Sequence, residues 1–137
     1  MRRYLLDTGS ANVWVDRRGD SRDRAVLAVR DGHMVEICTS VNAELWGGVE
    51  NSGSRDANIP RLQHALAQLS EWPLTTDAAV EYGRLYARPR RNGRMIGSND
   101  LLIAAIALTL SRCILVTRDS DFDAIPSLRI ENWFERQ

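Results

Sequence analysis

The chain has 137 residues, of which 44% are hydrophobic and 26% charged, with 18 basic residues balanced by 18 acidic ones. This length and composition suit one soluble globular domain with a single core, residues 1–137, and a net charge of zero argues against a generally basic nucleic-acid coat. Every basic residue is arginine; the absence of lysine excludes the phosphate-binding P-loop, Schiff-base catalysis and a receiver-domain reading.

In chain order, "RRYLLD" reads as a short buried strand ending at Asp7. "TGSANVWVD" offers Thr8 or Ser10 as the cap of a helix. "SRDRAVLAVRDG" is a helix closed by Gly32, and "MVEICTS", rich in β-branched residues, is a second strand. "SVNAELWGGVEN" opens a helix with Ser40 as its cap, and "NSGSRDAN" reads as a flexible loop. Pro60 suits the first turn of the helical pattern "IPRLQHALAQLSEW". "PLTT" is a short strand or a cap for the helix "DAAVEYGRLYAR", and "PRRNGRMIG" is a basic, turn-rich connection. "SNDLLIAAIALTLS", with Ser98 as cap, is apolar nearly all round, as a helix packed on a sheet should be. "CILVT" and "LRIENW" are the last two strands. Strands alternating with helices give an α/β fold, a central largely parallel sheet with helices on both faces.

The longest apolar run, residues 101–108, is too short to span a bilayer, and "MRRYLLDTGS" turns polar too soon for a secretory signal, so no membrane association and a cytoplasmic location are expected. Cys38 and Cys113 lie in apolar stretches without C-x-x-C spacing and read as buried free thiols. His33 and His64 are isolated, which removes a histidine-based metal or catalytic centre.

The chemistry concentrates in carboxylates. "VTRDSDFD" places Asp119, Asp121 and Asp123 at alternate positions after an apolar strand. A calcium loop starting at Asp119 fails, because its sixth and twelfth positions hold Ala124 and Ile130. A solvated turn and one wall of a metal site remain as alternatives. Ligands of parallel α/β sheets sit beyond the carboxyl ends of the strands. Asp7 ends the first strand, Glu44 is placed in the first turn of the helix after the second, Asp100 follows the cap of the central helix and Asp119 follows "CILVT". Helix N-termini offset carboxylate repulsion by only about 0.3–1 kcal/mol each, whereas an unpaired buried charge costs several. A divalent cation resolves the conflict, and all-oxygen ligation favours Mg²⁺ or Mn²⁺.

"YLLDT", "SVNAELWGG", "IGSNDLLIAAIA" and "ILVTRDSDF" resemble, in order and separation, the four acidic motifs of PIN-domain ribonucleases, and the short form resembles the VapC toxins of bacterial toxin–antitoxin pairs. The resemblance spans essentially the whole chain. It implies that Asp7, Glu44, Asp100 and Asp119 are the catalytic acids, with Asp7, Asp100, Asp119 and the auxiliary Asp121 holding metal. Thr8 and Thr117 match the hydroxyl residues that accompany the first and last acids. The sequence departs from the family pattern at Gly9 and Asn99, and neither change removes an acid.

The implied reaction is hydrolysis of RNA phosphodiesters to 5′-phosphate and 3′-hydroxyl ends, usually at a defined site in tRNA or ribosomal RNA. A cation activates water and steadies the leaving oxygen, so no protein nucleophile is needed. The basic loop with Arg88, Arg90, Arg91 and Arg94 reads equally as an RNA contact or as a solvated loop. Arg118, between Thr117 and Asp119, is the best RNA contact. Trp14 and Trp46 suit core or interface packing better than base stacking. The resemblance also implies a homodimer and inhibition by a small antitoxin, and exposed apolar residues on the Trp14 and Trp46 helices are expected to supply the surface for such association. The competing readings are an inactive PIN-like binding module and a DNA flap or single-strand nuclease.

Overall fold

The structure, a computed structural model, describes residues 1–16, 19–88 and 96–134, with backbone only at 19–21. Its elements run β1 (Arg3–Leu6), α1 (Thr8–Asp16), α2 (Gly19–Arg30), β2 (Met34–Cys38), α3 (Thr39–Glu50), α4 (Arg55–Leu66), β3 (Ser70–Trp72), α5 (Thr76–Ala87), α6 (Ser98–Thr109), β4 (Cys113–Val116), a 3-10 helix (Ser120–Ala124) and β5 (Ile130–Glu131). The strands form one parallel sheet in the order β3-β2-β1-β4-β5, the α/β architecture expected. β1 lies at the centre: Leu5 pairs with Glu36 of β2 on one side and Leu115 of β4 on the other. The chain order reverses between β1 and β4, and that switch point is where open α/β sheets form their crevice.

Burial follows from this order. β4 is buried along its whole length, as a parallel strand covered on both faces must be. α6 is buried continuously from Ile103 to Ala107, and its alanines allow close approach to α5, which packs along it. Gly32 takes φ +82°, the left-handed turn that closes α2 without a Cβ penalty.

Several local expectations give way. Neither Thr8 nor Ser10 caps α1; the Asp7 carboxylate accepts from Ser10 N at 2.9 Å, and the Ser10 hydroxyl instead donates to the Val116 carbonyl at 2.8 Å. α3 starts at Thr39, so Ser40 lies inside it, its hydroxyl 3.1 Å from Cys38 Sγ, and Glu44 moves from the first turn to the second. α4 starts at Arg55 rather than at Pro60, so "RDAN" is helical and Pro60 is an interior residue. "SEW" leaves the helix to pair as β3 against β2, a tertiary demand that overrides its local pattern. Gly97, not Ser98, occupies the cap position of α6, whereas Thr75 caps α5 as expected, accepting from Ala78 N at 3.2 Å.

Within β2, Glu36 is 1% exposed, with Arg3 Nη1 3.6 Å away and the Arg3 guanidinium 4.6 Å over the Trp72 ring. Burial pushes this carboxyl up while Arg3 pulls it down. Cys38 and Cys113 are buried free thiols, and burial, then Glu36, pushes Cys113 up to about 12. A thiol held so high carries little thiolate and is inert.

Candidate active site

The carboxyl ends of β2, β1 and β4 lie side by side, and the acids follow from that. Asp7 leaves β1 still tied to β4, its N–H donating to the Val116 carbonyl at 3.1 Å. Its carboxylate is fixed at both oxygens: Oδ1 accepts from Ser10 N, and Oδ2 accepts from the Thr117 hydroxyl at 2.5 Å. That hydroxyl in turn accepts from Asp119 N at 3.0 Å, so one short chain of hydrogen bonds joins the acids after β1 and β4. The Asp119 carboxylate caps the 3-10 helix, accepting from Asp121 N at 2.9 Å. Phe122, fully buried, anchors this helix to the core, which sets the direction of the aspartates on either side.

Asp100 stands in the first turn of α6 and Glu44 in α3, where its carboxylate accepts from the Asn99 side-chain amide. Asn99 therefore ties the α3 acid to the turn carrying Asp100. Its position beside a motif acid was visible in the sequence; its partner was not.

Asp100 reports how close the acids are. Its carboxyl is pushed up to about 6, first by burial and then by the charges of Asp119, Glu44, Asp7 and Asp121, in that order. Asp123 is exposed and is not among these influences. Five carboxylates therefore share one field, although among the described residues they do not close into a ready three-ligand cage.

A pH dependence follows. The folded-state pKa of Asp100 lies above its ordinary 3.8, so the stability tied to its proton is present at acid pH and lost as pH rises through about 6. Without divalent metal, Asp100→Asn should be more stable than wild type at neutral pH by on the order of 1 kcal/mol after solvent screening. The difference should vanish at low pH. Urea unfolding of both proteins across that range measures it.

The other site residues divide. Thr117 is 1% exposed and engaged by Asp7 and Asp119, so it positions acids rather than facing a substrate. The Thr8 hydroxyl, next to Asp7, is buried with no hydrogen-bond partner among the described residues. Arg118 is exposed. Arg90, Arg91 and Arg94 lie outside the described residues, and Arg88 is an exposed residue ending α5. Trp14 and Trp46 are partly buried against the core, with Trp14 Nε1 donating to the Ala65 carbonyl at 3.2 Å. The expectation that their helices offer apolar surface is corrected. Among the described residues the large exposed apolar side chains include Leu27 and Val29 on α2, Leu74, and Val80 and Tyr86 on α5, and none from α1 or α3. A groove of about 240 Å³ does run between α1, α3 and α4, bordered by Val15, Glu44, Leu45, Val49, Arg61 and Leu62.

Residues 4–128 match the family model of the PIN domain. A ribonuclease VapC2 of Rickettsia felis is 29% identical over 130 residues, covering 95% of this chain and 97% of the relative. A tRNA(fMet)-specific endonuclease VapC of Salmonella typhimurium is 29% identical over 136 residues, covering 97% and 99%. Among solved structures, VapBC2 from Rickettsia felis, bound to a DNA fragment from its promoter, superposes with a TM-score of 0.86 at 30% identity, over 96% of this chain and 98% of that one.

Proposed function

The chain belongs to the PIN-domain family, and from that membership we propose that residues 1–137 form one nuclease domain, a divalent-metal-dependent endoribonuclease toxin of the VapC type. The observation that carries the reading is the linkage of the acids at the switch point of the sheet, with Asp7 joined through Thr117 to Asp119, and Glu44 held by Asn99 to the turn that carries Asp100. Such a set is poorly stable by itself, and a hard divalent cation fits it. The donors are all carboxylate oxygens, and a buried hydroxyl, Thr8 Oγ1, stands beside Asp7 with no hydrogen-bond partner among the described residues.

In this reading Asp7, Asp100 and Asp119 hold Mg²⁺ or Mn²⁺, with Asp121 assisting and Glu44 completing the catalytic set. The cation supplies charge neutralisation at the phosphate and activation of the attacking water. The protein's own part is positioning. Ser10 N and Thr117 fix the direction of Asp7, and Asn99 fixes that of Glu44. Phe122 holds the turn bearing Asp119 and Asp121. Arg118, beside these acids in the chain, supplies positive charge for the RNA backbone, with Arg91 and Arg94 as further contacts.

The substrate is a structured RNA, a tRNA or ribosomal RNA in the cytoplasm, cut in an unpaired loop, where bases and backbone are accessible. The Salmonella relative's name, a tRNA(fMet)-specific endonuclease, supports the tRNA class. The Rickettsia VapBC2 complex supports a small cognate antitoxin as partner. The groove beside Glu44, where Val15, Leu45, Val49 and Leu62 alternate with Asp16, Asn58 and Arg61, offers it a mixed apolar and polar seat, and a basic antitoxin side chain in the acidic pocket would inhibit. Homodimerisation would draw on the exposed apolar residues of α2 or α5.

The test is incubation with total RNA and Mg²⁺ or Mn²⁺, followed by end mapping. One or a few discrete cuts leaving 5′-phosphates are expected. Equal degradation of single-stranded DNA would point instead to a DNA nuclease, and no cleavage in any metal to a binding module. Within the terminal motif, Asn substitutions should lower cleavage most at Asp119, less at Asp121 and scarcely at Asp123.

A further inference from the structure

Arg118 is the one residue between the two that secure the β4 acids, and its backbone is held on both sides. Thr117 N donates to the Glu131 carbonyl at 3.0 Å, and Asp119 N donates to the Thr117 hydroxyl. A long exposed arginine on so rigid a backbone would still lose side-chain rotamer freedom on binding a phosphate. The structure limits that loss. The Arg118 guanidinium lies 4.5 Å over the ring of Phe134, which follows β5. The ring is itself secured: Phe134 N donates to the Asn132 side chain at 2.9 Å, Trp133 is 2% exposed, and Trp133 Nε1 donates to Glu131 at 3.1 Å. Arg24 Nη1 reaches the Asn132 carbonyl at 3.2 Å, bracing the same segment from α2. Among the described residues Arg118 makes no salt bridge. A cation–π contact with a ring uses none of the guanidinium's hydrogen-bonding capacity for a protein acceptor, and N–H groups not turned into the ring remain available to phosphate oxygens.

We infer that Phe134 is a positioning residue for RNA: its ring holds the Arg118 guanidinium beside the acidic edge of the sheet, with its donors presented to a backbone phosphate of the bound strand. This rests on the RNA-cleaving reading and adds to it a residue that belongs to none of the acidic motifs. The contribution is to binding, not to the chemical step.

The test measures binding of a fluorescein-labelled RNA stem-loop with an unpaired loop, together with single-turnover cleavage of the same RNA. Phe134→Leu keeps an apolar side chain against the segment but removes the aromatic face. It should keep the thermal midpoint near wild type, weaken binding roughly three-fold and leave the maximal cleavage rate unchanged. Phe134→Trp should bind as wild type does. Arg118→Ala should weaken binding by about ten-fold and reduce the dependence of log Kd on log salt by about 0.7. In the Arg118→Ala background, Phe134→Leu should add nothing. A Phe134→Leu loss that persists without Arg118, or that falls on the maximal rate, would overturn the inference, as would wild-type binding by both single variants. The two readings separate cleanly. If wild type cuts RNA and binding ignores both residues, the inference fails and the nuclease reading stands. If binding depends on both but no metal supports cleavage, the inference stands and the nuclease reading fails.

Discussion

Asp7→Asn is expected to fold normally and to cleave RNA more than about a hundred-fold more slowly than wild type, since losing even an outer partner of a metal ligand costs 10–100-fold. The substitution retains an oxygen to accept from Ser10 N, and Asn caps a helix about as well as Asp. Its amide would face the Thr117 hydroxyl, which turns to accept instead of donating. Stability should therefore stay within about 1 kcal/mol of wild type, and circular dichroism melts measured beside single-turnover cleavage will separate lost chemistry from lost fold. Asp7→Ala makes the contrast, losing activity and about 1 kcal/mol of cap. Substantial cleavage by a folded Asp7→Asn protein would remove Asp7 from the catalytic set.

Phe122→Ala carries the largest expected stability effect. The ring is fully buried beside Asp121, which shares the Asp100 field, in a helix of five residues with little intrinsic stability. Removing it should cost about 3–5 kcal/mol, a large part of the 5–15 kcal/mol typical of a domain. Phe122→Leu should cost less than about 1.5 kcal/mol, provided the core repacks. Cleavage per folded molecule should fall in Phe122→Ala, because Asp119 and Asp121 lose the anchor that directs them, and should be retained in Phe122→Leu. Urea unfolding together with cleavage normalised to the folded fraction reads both. If Phe122→Ala cleaves normally per folded molecule, the acids are directed by something other than that ring.

The architecture was legible because its signals are strong: "YLLD" and "CILV" are short apolar runs, and the apolar helix 98–109 needs a sheet to cover it. The placement of Asp7 and Asp119 followed from strand ends, and that of Asp100 from the start of the central helix. What could not be read were the choices made by tertiary contacts. Ser10 looks like a cap, yet its hydroxyl goes to Val116, more than a hundred residues away in sequence, and Asp7 caps in its place. "SEW" follows a helical pattern yet pairs with β2. Glu44 moved by a turn because the chain bends into α3 directly after Cys38, and its tie to Asn99 spans two helices. Phe134 carries no motif; only its ring beneath Arg118 marks it. Periodicity and spacing report which face of an element is covered, whereas partners across elements appear only when the elements meet.

The most direct test of the metal-nuclease centre is a Mn²⁺ titration of chelator-treated protein, with bound metal followed by electron paramagnetic resonance and RNA cleavage followed in the same samples. Wild type should bind Mn²⁺ and gain cleavage in proportion to the metal bound, while Asp7→Asn, folded, should do neither. Full cleavage by wild type in excess chelator, or cleavage unaffected by the metal bound, would contradict it.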